Sequence, residues 1–165
     1  MIYSFDGREP SIGSGTYVSE TAIVVGDVRI GDDCYIGHGA IIRGDYGSVQ
    51  IGNGTAVEEG VVIHAPPDES CCIGDKVTLG HGAIIHSQSI SSNATVGMGA
   101  ILSLWSEVGE ASIVAEGSVV RRKQIVPSRV VVGGNPAKVI RKTTDKDNGF
   151  WEWGKQLYID LAHKY

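Results

Sequence analysis

Four of the five histidines fall between residues 38 and 86. A lone histidine is more often a hydrogen-bonded surface residue. It is the set His64, His81 and His86, with Arg43 ahead of them, that points to chemistry. Three neutral nitrogen ligands leave the fourth position of a tetrahedral ion for water, the pattern of a catalytic rather than a structural zinc. Zinc lowers the pKa of such a water to about 7 and so supplies hydroxide at neutral pH. The cysteines make poorer ligands. Cys71 and Cys72 are adjacent, Cys34 is well upstream, and no Cys-x-x-Cys pair occurs.

A six-residue repeat positions these side chains. From Ile12 in steps of six come Val18, Val24, Ile30, Ile36 and Ile42. The series slips by three to Ile51, Val57 and Ile63, and by four to Ile73, Leu79 and Ile85. It then loses one residue and runs from Ile90 through Val96, Leu102, Val108, Val114, Val120 and Val126 to Val132. Neither the 3.6-residue period of a helix nor the two-residue period of a strand yields this series, whereas a parallel β-helix does. Each hexad supplies a short strand and a corner, and three hexads close one triangular coil. Coils stack about 4.8 Å apart, so six to seven of them form a prism roughly 30 Å tall.

Numbering the faces from Ile12 puts Val24, Ile42, Ile63, Ile85 and Leu102 on face three. The next residues form a column: Val25, Arg43, His64, His86, Ser103. His64 and His86 thus lie one coil apart, within reach of one ion. His81 belongs to face two at the height of His86, with Glu20, His38, Glu59 and Met98 in its own column. A corner separates it from the other two histidines. It can join them where face two of one subunit abuts face three of another in a symmetric trimer. His38 and His163 read as ordinary residues. The two insertions in the repeat predict loops beside the histidines.

After Val132, Gly133–Pro136 reads as a turn and Asp147–Gly149 as a second break. Phe150, Trp153, Leu157 and Leu161 then recur at helical spacing. This predicts a β-helix over residues 1–141, and a linker with a packed amphipathic helix over 142–165. Trp151 and Trp153 read as core anchors.

Composition agrees. Val and Ile number 37 against five Leu, and Gly numbers 23. Branching at Cβ suits a pleated sheet better than a helix, so an all-β core is expected. The net charge of −5 gives no nucleic-acid footprint, no apolar run is long enough for a membrane span, and no signal peptide is visible. With three cysteines and no disulfide framework, the expected compartment is cytoplasmic.

Ile42-Arg43-Gly44-Asp45, Gly60-Val61-Val62-Ile63-His64 and Gly80-His81-Gly82-Ala83-Ile84-Ile85-His86 together resemble the gamma-class carbonic anhydrases. The closing Gly134–Arg141 is similar to the end of their β-helix. The resemblance implies a left-handed parallel β-helix with a C-terminal helix, a homotrimer with metals at its interfaces, and reversible hydration of carbon dioxide to bicarbonate. It places the ligands on His64 and His86 of one subunit and His81 of the next. Zinc is the usual metal, with iron or cobalt as alternatives. Its arginine and aspartate fall on Arg43 and Asp45, an interface ion pair, and its helix tyrosine falls on Tyr158. Two departures stand out. Glu58 replaces the glutamine that would meet the metal's water, with Ala56 in place of an asparagine, and the loop that carries a proton-shuttle glutamate is short here, at Gly44–Gln50. Glu58 could serve as a base or could slow turnover by adding negative charge. The candidate catalytic set is therefore Glu58, Arg43, Asp45 and Tyr158, around the ligands His64, His81 and His86. Competing readings are an acyltransferase of the hexapeptide type or a thioesterase acting on coenzyme A esters, or a non-catalytic assembly subunit.

Overall fold

The computed structural model describes all 165 residues. Its strands stack as a parallel β-helix of about seven turns, because each hexad's strand bonds to the hexads one coil below and above. On face three the register runs Val24↔Ile42↔Ile63↔Ile85↔Leu102↔Val120. Face two forms a separate eight-stranded sheet, in which Val18, Ile36, Val57, Leu79 and Val96 are aligned. The repeat predicts the core: every one of its twenty positions is buried except Ile12 and Val18, at the open N-terminal end, which are partly covered. Alanine and other small residues fill the corners, among them Ala22, Ala40, Ala83 and Ala100.

The first insertion makes strand rather than the expected loop. Ile23–Ile30 and Ile41–Ile51 are continuous strands that turn the corner from face three to face one, joining these two faces into a twelve-stranded sheet. The extra residues extend the ladder: Val49, Gln50 and Ile51 pair with Cys71, Cys72 and Ile73 of the next coil. The second insertion turns at Pro67 and Asp68 as expected. All three cysteines are free thiols.

Beyond Gly133 the chain turns and returns as Lys138–Lys142, antiparallel to Val130–Gly133. This antiparallel strand ends the parallel stacking. Helix α1 (Asp145–Ala162) then runs along face two. Two readings of this segment need correction. Asp147–Gly149 is not a break but lies in the first turns of α1. The Asp147 carboxylate closes a capping box with Thr144 and is gripped by Arg141 at 2.6 and 3.0 Å. Nor does the stripe Phe150, Trp153, Leu157 pack on the prism: these residues are 57, 60 and 46 % exposed. The packed face is offset by about one residue and carries Trp151, Lys155, Tyr158, Ile159 and Ala162. Trp151 therefore anchors the helix and Trp153 does not. No helix is long and apolar enough to cross a membrane.

Candidate metal centre

His64 and His86 are neighbours in the face-three ladder, and their rings meet with Nδ1 of His64 2.8 Å from Nε2 of His86. Two nitrogens on a tetrahedral zinc, each at about 2.05 Å, stand roughly 3.3 Å apart. The pair therefore needs about half an ångström of adjustment to hold one ion. Burial, then the neighbouring His64 and Arg43, keep the His86 pKa below its ordinary value. The ring is thus neutral at pH 7, with a lone pair to give.

Arg43 and Asp45 lie on the strand below this pair. Arg43 Nη2 is 2.9 Å from Asp45 Oδ2, and Asp45 Oδ1 is 3.3 Å from His64 Nε2. Burial pushes the Asp45 pKa up, but the Arg43 guanidinium, backbone N–H groups and His64 outweigh it, so the carboxyl lies below its ordinary value. An ionised carboxylate on one ring nitrogen orients the other towards a metal. The Arg43–Asp45 pair forms within one chain and lies against His64.

His81 stands apart, at the corner after face two, between two glycines. Gly82 has φ +68°, which favours glycine, and a Cβ on Gly80 would come 2.8 Å from the Met98 backbone N. Two carboxylates hold the ring: Glu59 Oε2 is 2.8 Å from Nδ1 and Glu58 Oε2 is 3.1 Å from Nε2. Glu58 also accepts the His81 backbone N–H at 3.0 Å. Within a single chain, no three His, Cys, Asp or Glu side chains gather on one point.

Tyr158 reaches this corner from α1. It lies close to Glu58, and burial together with the Glu58 charge raises its pKa, so the phenol stays protonated. Glu58, Tyr158 and His81 thus gather at one corner, and Arg43, Asp45, His64 and His86 at the other. His38 pairs with Ser19 at 2.6 Å and His163 with Asp33 at 2.7 Å, and neither ring joins these groups.

Two features escaped the sequence reading. One is an outward ladder on face three, just before the inward aliphatic residues: Ile23, Ile41, Val62, Ile84, Ile101 and Val119. The corresponding face-one positions are Ser11, Arg29, Gln50, Cys72, Ser89, Glu107 and Ile125, mostly polar. These are six aliphatic residues in a row on an outer face, with Ile84 at 43 % and Ile101 at 37 % exposure, and contiguous exposed apolar positions are typical of interaction surfaces. The pattern is legible once hexads are aligned by face.

The other is Lys155, buried under α1, with its ammonium donating to Thr78 Oγ1, Thr95 Oγ1 and the Ala94 carbonyl at 2.9 to 3.2 Å. Desolvation lowers its pKa from 10.5 to about 8, against an upward pull from Glu58. Folding thus penalises the charged form. Between about pH 8 and 10.5 the unfolded chain holds a proton that the folded chain has released, so stability rises with pH there. The difference in urea stability between wild type and Lys155→Met is expected to climb across that window, with a slope approaching about 1.4 kcal/mol per pH unit. A flat difference would show that the ammonium is not desolvated.

Residues 9–44 match the six-repeat model of the bacterial transferase hexapeptide. The chain is 36 % identical over 168 residues to the mitochondrial gamma carbonic anhydrase 2 of Arabidopsis thaliana, covering 98 % of itself and 60 % of that protein. It thus spans less than two thirds of that relative's length. It is 33 % identical to a carbonic anhydrase of Geobacillus kaustophilus, covering 100 % of itself and 91 % of that protein. It is 35 % identical to the carnitine operon protein CaiE of a Proteus strain, covering 98 % of itself and 82 % of that protein. Among solved structures, a hexapeptide transferase family protein from Anaplasma phagocytophilum superposes with a TM-score of 0.94 at 33 % identity, covering 99 % of this chain and 97 % of that one.

Proposed function

Because the chain belongs to the gamma carbonic anhydrase family of hexapeptide-repeat proteins, we propose that it hydrates carbon dioxide reversibly to bicarbonate at a metal shared between subunits of a homotrimer. The observation that carries this reading is the facing pair of His64 and His86 nitrogens, 2.8 Å apart, beside an outward aliphatic ladder. The ladder gives face three a reason to seat against a second copy. That contact brings His81 of the partner subunit to the pair.

His64, His86 and the partner subunit's His81 would hold the ion, with zinc the favoured occupant and iron or cobalt also suited to imidazole. When bound, the metal supplies a Lewis acid and makes water acidic enough to ionise near neutral pH. The chain's own groups do the rest. Asp45, held by Arg43, orients His64. Glu58 is the polar group nearest His81 Nε2, at 3.1 Å, and its carboxylate is the acceptor for the proton that water must lose. Tyr158, on α1, flanks Glu58. Arg43, Asp45 and Tyr158 are positioning residues in this scheme, and Glu58 is the catalytic one.

The test is metal content per subunit measured beside stopped-flow carbon dioxide hydration, on protein without affinity-tag histidines. Near one metal per subunit with rapid hydration supports the reading. One metal without hydration would overturn the substrate and keep the centre. A second reading then comes forward: the same centre acting on coenzyme A thioesters, in keeping with a solved hexapeptide-repeat acetyltransferase from Vibrio cholerae complexed with acetyl coenzyme A, which matches 68 % of this chain at 25 % identity.

A further inference from the structure

Glu59 takes no part in the scheme above, yet it occupies a defined place. Its Oε2 lies 2.8 Å from Nδ1 of His81, and its Oε1 accepts the Tyr35 hydroxyl at 2.7 Å. Both carboxylate oxygens are therefore committed, one to the imidazole and one to the scaffold. Glu58 approaches the same ring, but at Nε2 and at the backbone N–H. Glu59 alone addresses Nδ1.

The anchor at the other end is rigid. Tyr35 is 3 % exposed and sits in the outward column of face two, under α1. Its ring stacks on Tyr17 at 5.6 Å and meets Tyr158 of the helix at 5.3 Å. A phenol this buried, packed against two other rings, holds its hydroxyl on Glu59. His81 itself is 47 % exposed in its side chain and follows a glycine, so beyond the two carboxylates little packs against its ring.

We propose that Glu59 is the positioning residue of His81: it accepts Nδ1–H and so makes Nε2, which lies 3.1 Å from Glu58 in the single chain, the nitrogen given to the metal, while Tyr35 transmits the rigidity of the helix-covered face to it. The inference rests on the metal-centre reading. The free chain then has its third ligand oriented before the subunits meet. A histidine whose far nitrogen is held by a carboxylate binds metal more tightly because it loses less freedom on binding and is the more basic ligand. Removing such an outer partner costs about 10–100-fold in metal affinity.

The probe is cobalt(II), titrated into metal-free wild type, Glu59→Ala, Glu59→Gln, Tyr35→Phe and the Glu59→Ala/Tyr35→Phe double variant. Chelator competition gives the dissociation constant, the visible d–d bands report the coordination sphere, and sedimentation checks assembly. Glu59→Ala is expected to weaken cobalt binding by about 10–100-fold with the trimer intact. Glu59→Gln, which keeps the shape and loses the charge, should weaken it by about tenfold. This variant decides the matter if the alanine chain fails to assemble. Tyr35→Phe should weaken binding in the wild-type background and add nothing once Glu59 is gone. That non-additivity is a result general loosening of the fold would not give. Unchanged affinity in Glu59→Gln, or a full Tyr35→Phe effect in the Glu59→Ala background, overturns the proposal while leaving the centre standing. A wild-type chain that takes up no cobalt overturns both.

Discussion

Co-expressing His64→Ala chains with His81→Ala chains is expected to restore activity that neither has alone, to about a quarter of the wild-type level. Each variant by itself lacks one ligand in every site and should lose at least about 100-fold in metal affinity, since even an outer partner is worth that much. In a mixed trimer, a contact between face three of a His81→Ala chain and face two of a His64→Ala chain contains His64, His86 and His81 intact. With equal amounts and random assembly, about one contact in four has that composition. Metal content should recover in the same proportion as hydration. The expectation rests on geometry: His64 and His86 face each other at 2.8 Å, whereas His81 is held at a different corner by Glu58 and Glu59. Mixed trimers that form, as judged by mass, yet bind no metal would show that the ligands do not meet across the contact.

The parts of this arrangement legible in the sequence are those set by a period. The hexad fixes which residue points inward, so the core from Val24 to Val132 and the alignment of Arg43, His64 and His86 follow from counting. The insertions carry no such constraint. Extra residues can leave the ladder as a loop or prolong it around a corner, and the pairing of Val49–Ile51 with Cys71–Ile73 decides for the strand. The helix was misread for a different reason. Phe150, Trp153 and Leu157 mark an apolar stripe, but helix orientation follows what face two offers, and there Thr78, Thr95 and the Ala94 carbonyl take the Lys155 ammonium. The side that packs also carries Trp151, Tyr158, Ile159 and Ala162, and its fit to face two is a choice that no one-dimensional hydrophobic pattern contains. Likewise, the contact of Glu59 with His81 spans 22 residues and two turns of corner geometry, and the repeat register alone does not specify rotamers.

The second large effect concerns the surface rather than the ligands. The double substitution Ile84→Glu and Ile101→Glu is expected to leave a folded chain that sediments as a monomer and binds metal at least about 100-fold more weakly. Both side chains point outward, at 43 % and 37 % exposure, while their neighbours Ile85 and Leu102 are fully buried and untouched. In the free chain two glutamates on adjacent coils meet water and repel each other, a cost of a few tenths of a kcal/mol to about 1 kcal/mol. In a trimer each would be buried without a counter-charge, and such burial costs several kcal/mol per ion, repeated at three contacts. The far-ultraviolet spectrum should therefore match wild type while assembly is lost. Ile85→Glu provides the contrast, because a carboxylate at that inward position would unfold the coil itself. If the double variant stays trimeric with full metal content, the outward ladder is not the contact. If it becomes monomeric yet keeps its metal, the three histidines must gather within one chain. The expected outcome, loss of trimer and metal together with retention of fold, would separate the two uses of the repeat: inward aliphatic residues hold each prism together, and the aliphatic residues beside them on face three bring a second prism's histidine to the first.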